Sequence, residues 1–500
     1  MPPAPAGIRE RAPTRAGNYN TRGAGMNRFF NPESVVVIGA SNSPFNLGST
    51  ICRALNEISS WKGTVFAVNR KAETVHGCPG FSSVTDIPQE VDLAVIITPA
   101  KVVPEFVEQC AEKGIRRIVI ESSGFSEGGE EGKAMQRRID GIARDHGIRI
   151  LGPNCLGILN ASNQFCCFYG IQVDDFSSFA QDSGSISYVI QSGGIVVIVL
   201  ESFIADVVKV NKIVSIGNKS DVDEADMLEY FDRDDTTEVI GMYLENVHNG
   251  RKFMEAARRV KKPILVFKVG RTGEGARAAV SHTAGMANND RIFDTACRQA
   301  GIIRVDSIAD LHSMPRIFTH MPPLKGRRIA VFTNSGAFGG ITADLLVQSG
   351  LEMARLSPET QEKLARTGQI FNVSNPIDLG PALSMQTFLE IFDILLSSDE
   401  VDGLLPVPSL WHPMVIEAIL ELVKKCRHYG KPAAIYTPNA VFKTVNYRQQ
   451  YQVPLFESPE EAVRALKVSH LQYLYAQRKE AVLAVRESVR GDIGRVLDCR

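Results

Sequence analysis

The stretch Val35–Gly48, with the sequence VVVIGASNSPFNLG, indicates the fold of the first part of this chain. Its run of four apolar residues predicts a buried strand, and Gly39 follows where the backbone must turn into the next helix. A glycine at this turn lets the backbone approach a ligand phosphate, and the helix N-terminus that follows favours negative charge. The stretch therefore predicts an α/β domain with an anion-binding turn.

The same alternation continues along the chain. Short apolar runs predict further buried strands, and segments such as Val103–Lys113 and Glu130–His146 predict helices between them. Strands and helices in alternation imply parallel β–α–β units with helices on both faces of each sheet, so we predict an α/β fold. The strands fall into three sets: 35–39, 64–69, 93–99, 117–124 and 148–154; 185–194, 212–221, 238–245 and 263–270; 328–340, 402–409 and 432–438.

Composition and these sets divide the chain into domains. A length of 500 residues suggests three domains, at roughly 100–200 residues each. The first residues are rich in Pro, Gly, Ala and Arg and predict a disordered tail, and the sequence HMPPLKG at His320–Gly326 marks a later break. We predict a tail over 1–27, three α/β domains over 28–160, 161–322 and 323–466, and a helical segment over 467–500.

Charge and hydropathy exclude several classes of protein. Lys and Arg number 55 against 56 Asp and Glu, which argues against a dedicated nucleic-acid binder. The apolar runs are far shorter than the ~18 residues that a membrane-spanning helix needs. The nine cysteines form no C-x-x-C pair, and the first 25 residues contain no signal-peptide core. We therefore expect a cytoplasmic protein without membrane or nucleic-acid partners.

The loops after the first strands indicate the kind of ligand. Ser41 stands where the dinucleotide fingerprint G-x-G-x-x-G needs glycine, and the second strand ends in Asn69-Arg70-Lys71 rather than in an acidic residue. Cations and an amide suit a ligand with an extra phosphate, which leaves NADP, coenzyme A or a merely solvated loop. The loops Thr98–Val103, Glu121–Glu127 and Gly152–Gly157 follow later strands, at the sheet edge where open α/β sheets bind ligands.

Two side chains are candidate nucleophiles. Cys155 has no base beside it in its motif, so a small buried residue is the favoured interpretation. His282 lies in Gly270–Ala287, GRTGEGARAAVSHTAGMA, whose small polar residues predict a mobile loop. A neutral imidazole is nucleophilic, and a carboxylate on its second nitrogen fixes the tautomer; Glu245 is a candidate for that carboxylate. An ordinary surface histidine is the alternative.

Two segments share a strand-to-helix turn. Tyr188–Gly194 (YVIQSGG) and Val331–Ala337 (VFTNSGA) each place an amide residue, serine and glycine before a predicted helix. Either two α/β domains share a common turn, or both helix N-termini bind one anion. The chain contains no Walker A, H-E-x-x-H or G-x-S-x-G motif, so no nucleoside triphosphate site and no metal site are predicted in it.

Together these motifs resemble those of the NDP-forming acyl-CoA synthetases, the superfamily of succinyl-CoA synthetase and ADP-forming acetyl-CoA synthetase. The resemblance extends from about Phe30 to about Ala465 and rests on motif order. It implies an α-subunit arrangement: a CoA-binding Rossmann-like domain, a flavodoxin-like domain with the catalytic histidine, and a second flavodoxin-like domain. The matching blocks are VVVIGAS, GPNCLGILN, QSGG, SIGNKSDVDEADMLEYF, MYLENV, PILVFKVGRT, SHTAGMA, TNSGAFGG and NPIDLG.

The resemblance also implies a mechanism. Acyl-CoA and phosphate give acyl phosphate and CoA, and a histidine then carries the phosphoryl group to an NDP bound with Mg²⁺ on an ATP-grasp module. By motif position His282 is the phosphorylated residue and Glu245 orients it. The ATP-grasp module is missing from this sequence, so a separate β subunit and a hetero-oligomer are expected. A non-catalytic CoA-binding regulatory protein is the alternative, and the acyl group is left open.

The sequence departs from the usual pattern of the family at four positions. The family usually has Ser where Ile190 stands and Ala where Gly194 stands, and it often has Gly at the positions of Ala284 and Asn288. These departures can alter the mobility of the histidine segment or the acyl pocket.

The resemblance also implies two groups of site residues. The residues expected to hold the phosphoryl group are Ser192, Gly193, Gly194, Asn334, Ser335, Gly336 and Ala337. Those expected along coenzyme A are Gly39, Ala40, Ser41, Lys71, Thr98, Pro99, Ser123, Gly124 and Asn154.

Overall fold

Parallel strands with helices packed against them form the framework of the chain in the computed structural model. The predicted α/β fold is therefore confirmed. None of the described helices is long and apolar enough to cross a membrane. The structure describes residues 19–170, 183–206, 209–283, 289–368, 370–380, 384–409, 413–438, 441–451 and 453–498.

The first sheet is wholly parallel, with strand order β3-β2-β1-β4-β5-β6. The strand order reverses between β1 and β4, which opens a crevice at their carboxyl ends. Its strands are β1 (Ser34–Ile38), β2 (Thr64–Val68), β3 (Gly80–Phe81), β4 (Leu93–Ile96), β5 (Arg117–Ile120) and β6 (Arg149–Leu151). Its helices are α2 (Leu47–Arg53), α3 (Val103–Lys113) and α4 (Glu130–His146).

Local sequence explains why α3 and α4 have the predicted bounds. Pro104 lies in the first turn of α3, and Gly114 ends that helix with a φ of 87°. Two glutamates occupy the first turn of α4, and Gly147 ends it with a φ of 65°. Proline and acidic residues favour helix starts, and glycine adopts the left-handed conformation that ends a helix, so these signals can be recognised in sequence.

The second sheet has the order β13-β12-β11-β9-β10-β7-β8, in which β7 and β8 are antiparallel additions. The sheet is thus mixed, and it begins at Ile158, before the predicted boundary at residue 161. Its strands are β7 (Ile158–Asn160), β8 (Phe165–Cys166), β9 (Ile186–Ile190), β10 (Val210–Ser215), β11 (Val239–Leu244), β12 (Ile264–Lys268) and β13 (Ile303–Arg304). Its helices are α5 (Gly193–Asp206), α6 (Glu224–Arg233), α7 (Gly250–Arg259), α8 (Gly273–Thr283), α9 (Asp290–Ala300), α10 (Ile308–Ser313) and α11 (Pro315–His320).

The third sheet centres on β14, which pairs in parallel with β15, β16 and β17. Its strands are β14 (Arg328–Thr333), β15 (Glu352–Met353), β16 (Ile377–Asp378) and β17 (Gly403–Val407), and β18 (Ile435–Tyr436) pairs with β19 (Leu455–Phe456) nearby. Its helices are α12 (Gly336–Ser349), α13 (Pro358–Ala365), α14 (Met385–Ser397), α15 (Pro413–Tyr429), α16 (Val441–Tyr451) and α17 (Pro459–Asp498). Helix α17 begins earlier than the helical segment predicted from residue 467.

The predicted disordered tail is wrong for residues 19–27, which lie in helix α1 (Tyr19–Phe30). Met26, Phe29 and Phe30 of this helix are buried, and the ring of Phe30 stacks on Tyr230 of the second domain at a centroid distance of 4.5 Å. The helix was not predicted because the segment is rich in Gly and Arg and contains few apolar residues. The burial of those few residues stabilises the helix. Residues 1–18 lie outside the described part of the chain.

Candidate functional site

A cavity of about 540 Å³ opens at the carboxyl ends of β1, β2 and β4, beside α3. Gly39 begins the turn with a φ of +101°, and a Cβ placed there would lie 2.3 Å from the carbonyl oxygen of Ile97. Only glycine fits this close approach of two loops. Of the residues predicted along coenzyme A, five line the cavity: Gly39, Ser41, Lys71, Thr98 and Pro99.

Charged side chains give the cavity a mixed lining. Arg70 and Lys71 contribute two cations, and Glu73 and Glu105 contribute two carboxylates. Asn69 shapes this loop because its Oδ1 accepts hydrogen bonds from the backbone N–H groups of Lys71 and Glu73, both at 3.1 Å. These hydrogen bonds form a local turn, and the turn places the basic residues at the cavity.

Asn46 organises the turn above the cavity, and the sequence analysis missed it. Its Oδ1 accepts hydrogen bonds from the N–H groups of Ser49 at 2.8 Å and Ser41 at 3.1 Å, and its Nδ2 donates to the carbonyl oxygen of Gly39 at 3.0 Å. An asparagine before a helix is a capping signal that could have identified it. Ala40, which was predicted to contact coenzyme A, is fully buried and does not line the cavity.

The turn at Gly152–Asn154 joins the carboxyl edges of the first two sheets. The N–H of Asn154 donates to the carbonyl oxygen of Ser122 at 3.0 Å, at the end of β5. On the other side, the N–H of Asn218 donates to the carbonyl oxygen of Pro153 at 2.9 Å. The carboxyl edges of the two sheets, where α/β sheets commonly bind ligands, therefore meet at this turn.

Glu127 holds the neighbouring loop at the same junction. Its Oε1 accepts from the N–H of Gly124 at 2.6 Å, and its Oε2 accepts from Nδ2 of Asn218 at 2.5 Å. Ser123, Gly124 and Asn154 thus lie where the two sheets meet, and they do not line the cavity that holds the other predicted contacts. Helix α8 packs against the turn Ser126–Gly128, which brings the segment of His282 to this junction.

Gln191 links two of the predicted catalytic elements. Its Oε1 accepts hydrogen bonds from the backbone N–H groups of Glu245 at 2.9 Å and Asn246 at 3.2 Å, and its Nε2 donates to the side chain of Asn246 at 3.3 Å. The next residue, Ser192, directly precedes helix α5, which begins at Gly193. The side chain of Gln191 therefore ties the α5 N-terminus to Glu245. The sequence analysis quoted Gln191 within QSGG but gave it no role.

The segment before His282 is a helix rather than the predicted loop. Helix α8 includes His282 in its last turn, and Thr272 Oγ1 accepts from the N–H of Gly275 at 3.1 Å at its beginning. The three alanines, the glutamate and the arginine of this helix favour the helical state and outweigh its two glycines. The side chain of His282, and the departures Ala284 and Asn288, lie outside the described residues. Contact between this imidazole and Glu245 therefore stays a prediction.

The second predicted phosphate turn lies at the carboxyl end of β14. The N–H of Ser335 donates to Thr333 Oγ1 at 3.1 Å, and Nδ2 of Asn334 donates to the carbonyl oxygen of Gly380 at 3.0 Å. Gly336 and Ala337 are exposed in the first turn of α12. Because this turn and Ser192–Gly194 end strands of different sheets, their joint binding of one anion stays a prediction.

Cys155 is a buried structural residue, as favoured by the sequence analysis. Its thiol donates to the carbonyl oxygen of Ile120 at 3.3 Å, and burial raises the pKa of the Cys155 thiol well above its ordinary value. A thiol that stays protonated is a poor nucleophile.

A buried ion pair braces the junction from the second domain. Lys219 Nζ lies 3.0 Å from the carboxylate of Glu224, and it also donates to the carbonyl oxygen of Asn246 at 2.8 Å. Burial raises the pKa of Glu224, and the charge of Lys219 opposes that rise. The pair connects the segment after Asn218 to the segment after Glu245.

Family models and curated proteins of known function match most of the chain. Residues 33–161 match the CoA binding domain, and residues 183–318 match the succinyl-CoA ligase like flavodoxin domain. The chain is 34% identical over 452 residues to the acetate–CoA ligase (ADP-forming) II subunit alpha of Pyrococcus furiosus, covering 88% of this chain and 96% of that relative. It is 36% identical over 464 residues to acetate–CoA ligase (ADP-forming) II of Archaeoglobus fulgidus, covering 90% of this chain and 67% of that relative.

A solved structure agrees with these matches. The dinucleotide forming acetyl-coenzyme A synthetase 1 of Ca. Korarchaeum cryptofilum, in complex with phosphate and ADP, superposes with a TM-score of 0.81. The two chains are 29% identical, and the superposition covers 91% of this chain and 98% of that one.

Proposed function

This chain belongs to the family of ADP-forming acetate–CoA ligases, and on that premise we propose that it acts as the α chain of an NDP-forming acyl-CoA synthetase with a phosphohistidine intermediate. The resemblance predicted from sequence is confirmed, as is its assignment to acid–thiol ligases. The alternative of a regulatory protein without catalysis is not favoured by these relatives.

The meeting of two ligand-binding edges at the Gly152–Asn154 turn is the observation that supports the proposal most directly. The first edge carries the cavity with Arg70 and Lys71, which suit the phosphates of coenzyme A. The second edge carries the α5 N-terminus and Glu245, which suit a phosphoryl group and an imidazole. The two half-reactions require an acyl thioester at one edge and a phosphoryl acceptor at the other.

The chemistry proposed at this junction has two steps. Phosphate attacks the thioester carbon, the carbon–sulfur bond breaks, and CoA leaves as acyl phosphate forms. An imidazole nitrogen of His282 then attacks phosphorus, and the carboxylic acid leaves as its carboxylate. Glu245 would bind the second ring nitrogen and stabilise the positive charge that develops there.

Helix N-termini would hold the phosphoryl group during both steps. The N–H groups at the N-terminus of α5, at Ser192–Gly194, favour a dianion, and such an N-terminus contributes about 0.3–1 kcal/mol when exposed and up to about 2 kcal/mol when partly buried. The turn at Asn334–Ala337 would serve the same purpose after the phosphohistidine has formed. Because these dipoles are fixed, they stabilise charge without rearranging.

We propose that a separate ATP-grasp β subunit completes the enzyme. The relative from Pyrococcus furiosus is itself named a subunit alpha and is covered almost entirely by this chain. The partner would bind the nucleoside diphosphate and its Mg²⁺, and the complex would be a hetero-oligomer. The carboxylic acid stays open, as does the choice between ADP and GDP.

Phosphate labelling tests the proposal. The chain is incubated with acetyl-CoA, radiolabelled phosphate and Mg²⁺, alone and with a co-expressed ATP-grasp β chain. Acid-labile, base-stable label on the wild type and none on His282→Asn is the expected result. His146→Asn, which changes an exposed histidine in the last turn of α4, should label normally. Label that persists in His282→Asn overturns the proposed intermediate.

A further inference from the structure

Glu121 is a buried carboxyl group without a partner. It follows β5 directly and is only 4% exposed, yet neither of its carboxyl oxygens has a hydrogen-bond partner in the described structure. Buried polar groups are nearly always hydrogen-bonded, because an unpaired one loses its bonds to water without replacement. Glu224, by contrast, is equally buried but faces Lys219 at 3.0 Å. The exception at Glu121 therefore requires an explanation.

The surroundings of Glu121 favour the neutral form of its carboxyl group. A Cβ placed on Gly157 would lie 2.6 Å from Glu121 Oε1 and 2.9 Å from the sulfur of Cys167. The titratable groups around it are thiols and a phenol, and burial raises the pKa of Glu121 well above its ordinary value. These groups are Cys155, Cys166, Cys167 and Tyr169. A carboxyl group buried without a cation or a donor favours its neutral form, and the O–H of that form has no acceptor among the described residues.

Glu121 lies between the cavity of the first domain and the edge of the second sheet. The next residue, Ser122, accepts a hydrogen bond through Oγ from the N–H of Thr98 at 3.0 Å, and Thr98 lines the cavity. Gly157, beside the Glu121 carboxyl, accepts through its carbonyl oxygen from the N–H of Ser215 at 2.9 Å, at the end of β10. A continuous path of contacts therefore leads from the cavity past Glu121 to the second sheet.

Further polar atoms along this path also lack partners. Thr98 Oγ1 and Ser215 Oγ are buried and, among the described residues, unpaired. Unpaired polar groups thus lie at the carboxyl ends of β4, β5 and β10, in both of the sheets that meet at the junction. Polar groups that have no partner in the free protein favour a ligand that forms hydrogen bonds with them over one that does not.

We propose that Glu121 contacts the acyl end of bound acyl-CoA and that its carboxyl O–H donates a hydrogen bond to the thioester carbonyl oxygen. This inference rests on the proposed function. Free CoA has no such carbonyl, so Glu121 favours acyl-CoA over CoA. Because every acyl-CoA carries the same carbonyl, the inference holds whichever acyl group is the natural one.

Two variants separate this role from a structural one. Glu121→Gln keeps a donor of the same shape, and Glu121→Met removes it while filling the same space. Thermal unfolding of the free protein and calorimetric binding of CoA and acetyl-CoA are measured for both. Removing an unpaired buried carboxyl relieves its desolvation, so Glu121→Met should raise the melting temperature. Glu224→Gln, which removes the carboxylate that neutralises the buried charge of Lys219, should lower it.

The binding results decide the role of Glu121. Glu121→Met should have a Kd for CoA within twofold of the wild-type value but a Kd for acetyl-CoA at least tenfold higher. Glu121→Gln should have Kd values within threefold of wild type for both ligands. Unchanged acetyl-CoA binding by Glu121→Met, or equal weakening of both ligands, overturns the inference. A wild-type chain that binds neither ligand would instead overturn the proposed function.

Discussion

Gln191 Oε1 accepts a hydrogen bond at 2.9 Å from the backbone N–H of Glu245, a residue 54 positions later in the chain. This bond lies at the carboxyl edge of the second sheet, directly beside the first turn of α5. It couples the position of a predicted phosphate-binding helix to the position of a predicted catalytic carboxylate. A change at Gln191 should therefore affect both.

Gln191→Leu should destabilise the chain and impair turnover. The substitution removes the side-chain acceptor of the Glu245 and Asn246 N–H groups, at a cost of about 1–3 kcal/mol. Denaturant unfolding measures the stability loss, and phosphate labelling measures the catalytic effect. Gln191→Glu, which keeps the acceptor, is the matched control and should label better than the leucine variant. Equal stability of wild type and Gln191→Leu would contradict the bracing role.

Asn46→Ala should weaken CoA binding although Asn46 does not line the cavity. The alanine removes the helix cap and the two bonds that shape the Gly39–Ser41 turn, and loss of a cap alone costs about 0.5–2 kcal/mol. Asn46→Asp keeps the acceptor for Ser41 and Ser49 but loses the donor to Gly39, so its affinity should be intermediate. Calorimetric titration with CoA gives the order of the three affinities. An affinity of Asn46→Ala equal to that of the wild type would refute the expectation.

The double variant Arg70→Ala/Lys71→Ala should bind CoA more weakly and with a smaller dependence on salt. Both cations line the cavity, and exposed charges attract phosphates through interactions that salt screens. Titrations at two ionic strengths check this expectation. Lys133→Ala, which removes a surface cation paired with Glu130 on α4, serves as the control and should leave affinity unchanged. If the double variant keeps the wild-type salt dependence, these cations do not face the ligand.

Asp140→Asn should stabilise the protein more at pH 7.5 than at pH 5. Burial, assisted by the charge of Asp221, raises the pKa of Asp140 to about 6 in the folded state from an ordinary value of 3.8. The folded chain then holds a proton that the unfolded chain has lost, so stability falls as pH rises from about 4 through about 6. Denaturant midpoints at both pH values test this, and an equal effect at each pH would argue against the raised pKa.

Local signals explain which elements could be predicted. Helices α3 and α4 have the predicted bounds because each ends at a glycine with positive φ, and each starts with proline or acidic residues. Helix α8 was missed because its two glycines were given more weight than its three alanines. Helix α1 was missed because its stability comes from packing on Tyr230 rather than from its own composition.

The amino-acid sequence alone determined the alternation of strands and helices, the glycine turns at their junctions and the motif order by which the family is identified, since each depends on residues close together in the chain. Tertiary structure alone decided that Asn218 bonds to Glu127, 91 positions away, that Gln191 holds Glu245, and that Glu121 is buried without a partner. Such relationships depend on which strand ends meet across two sheets. Residue periodicity carries no information about contacts between side chains so distant in sequence, and only the packed chain establishes them.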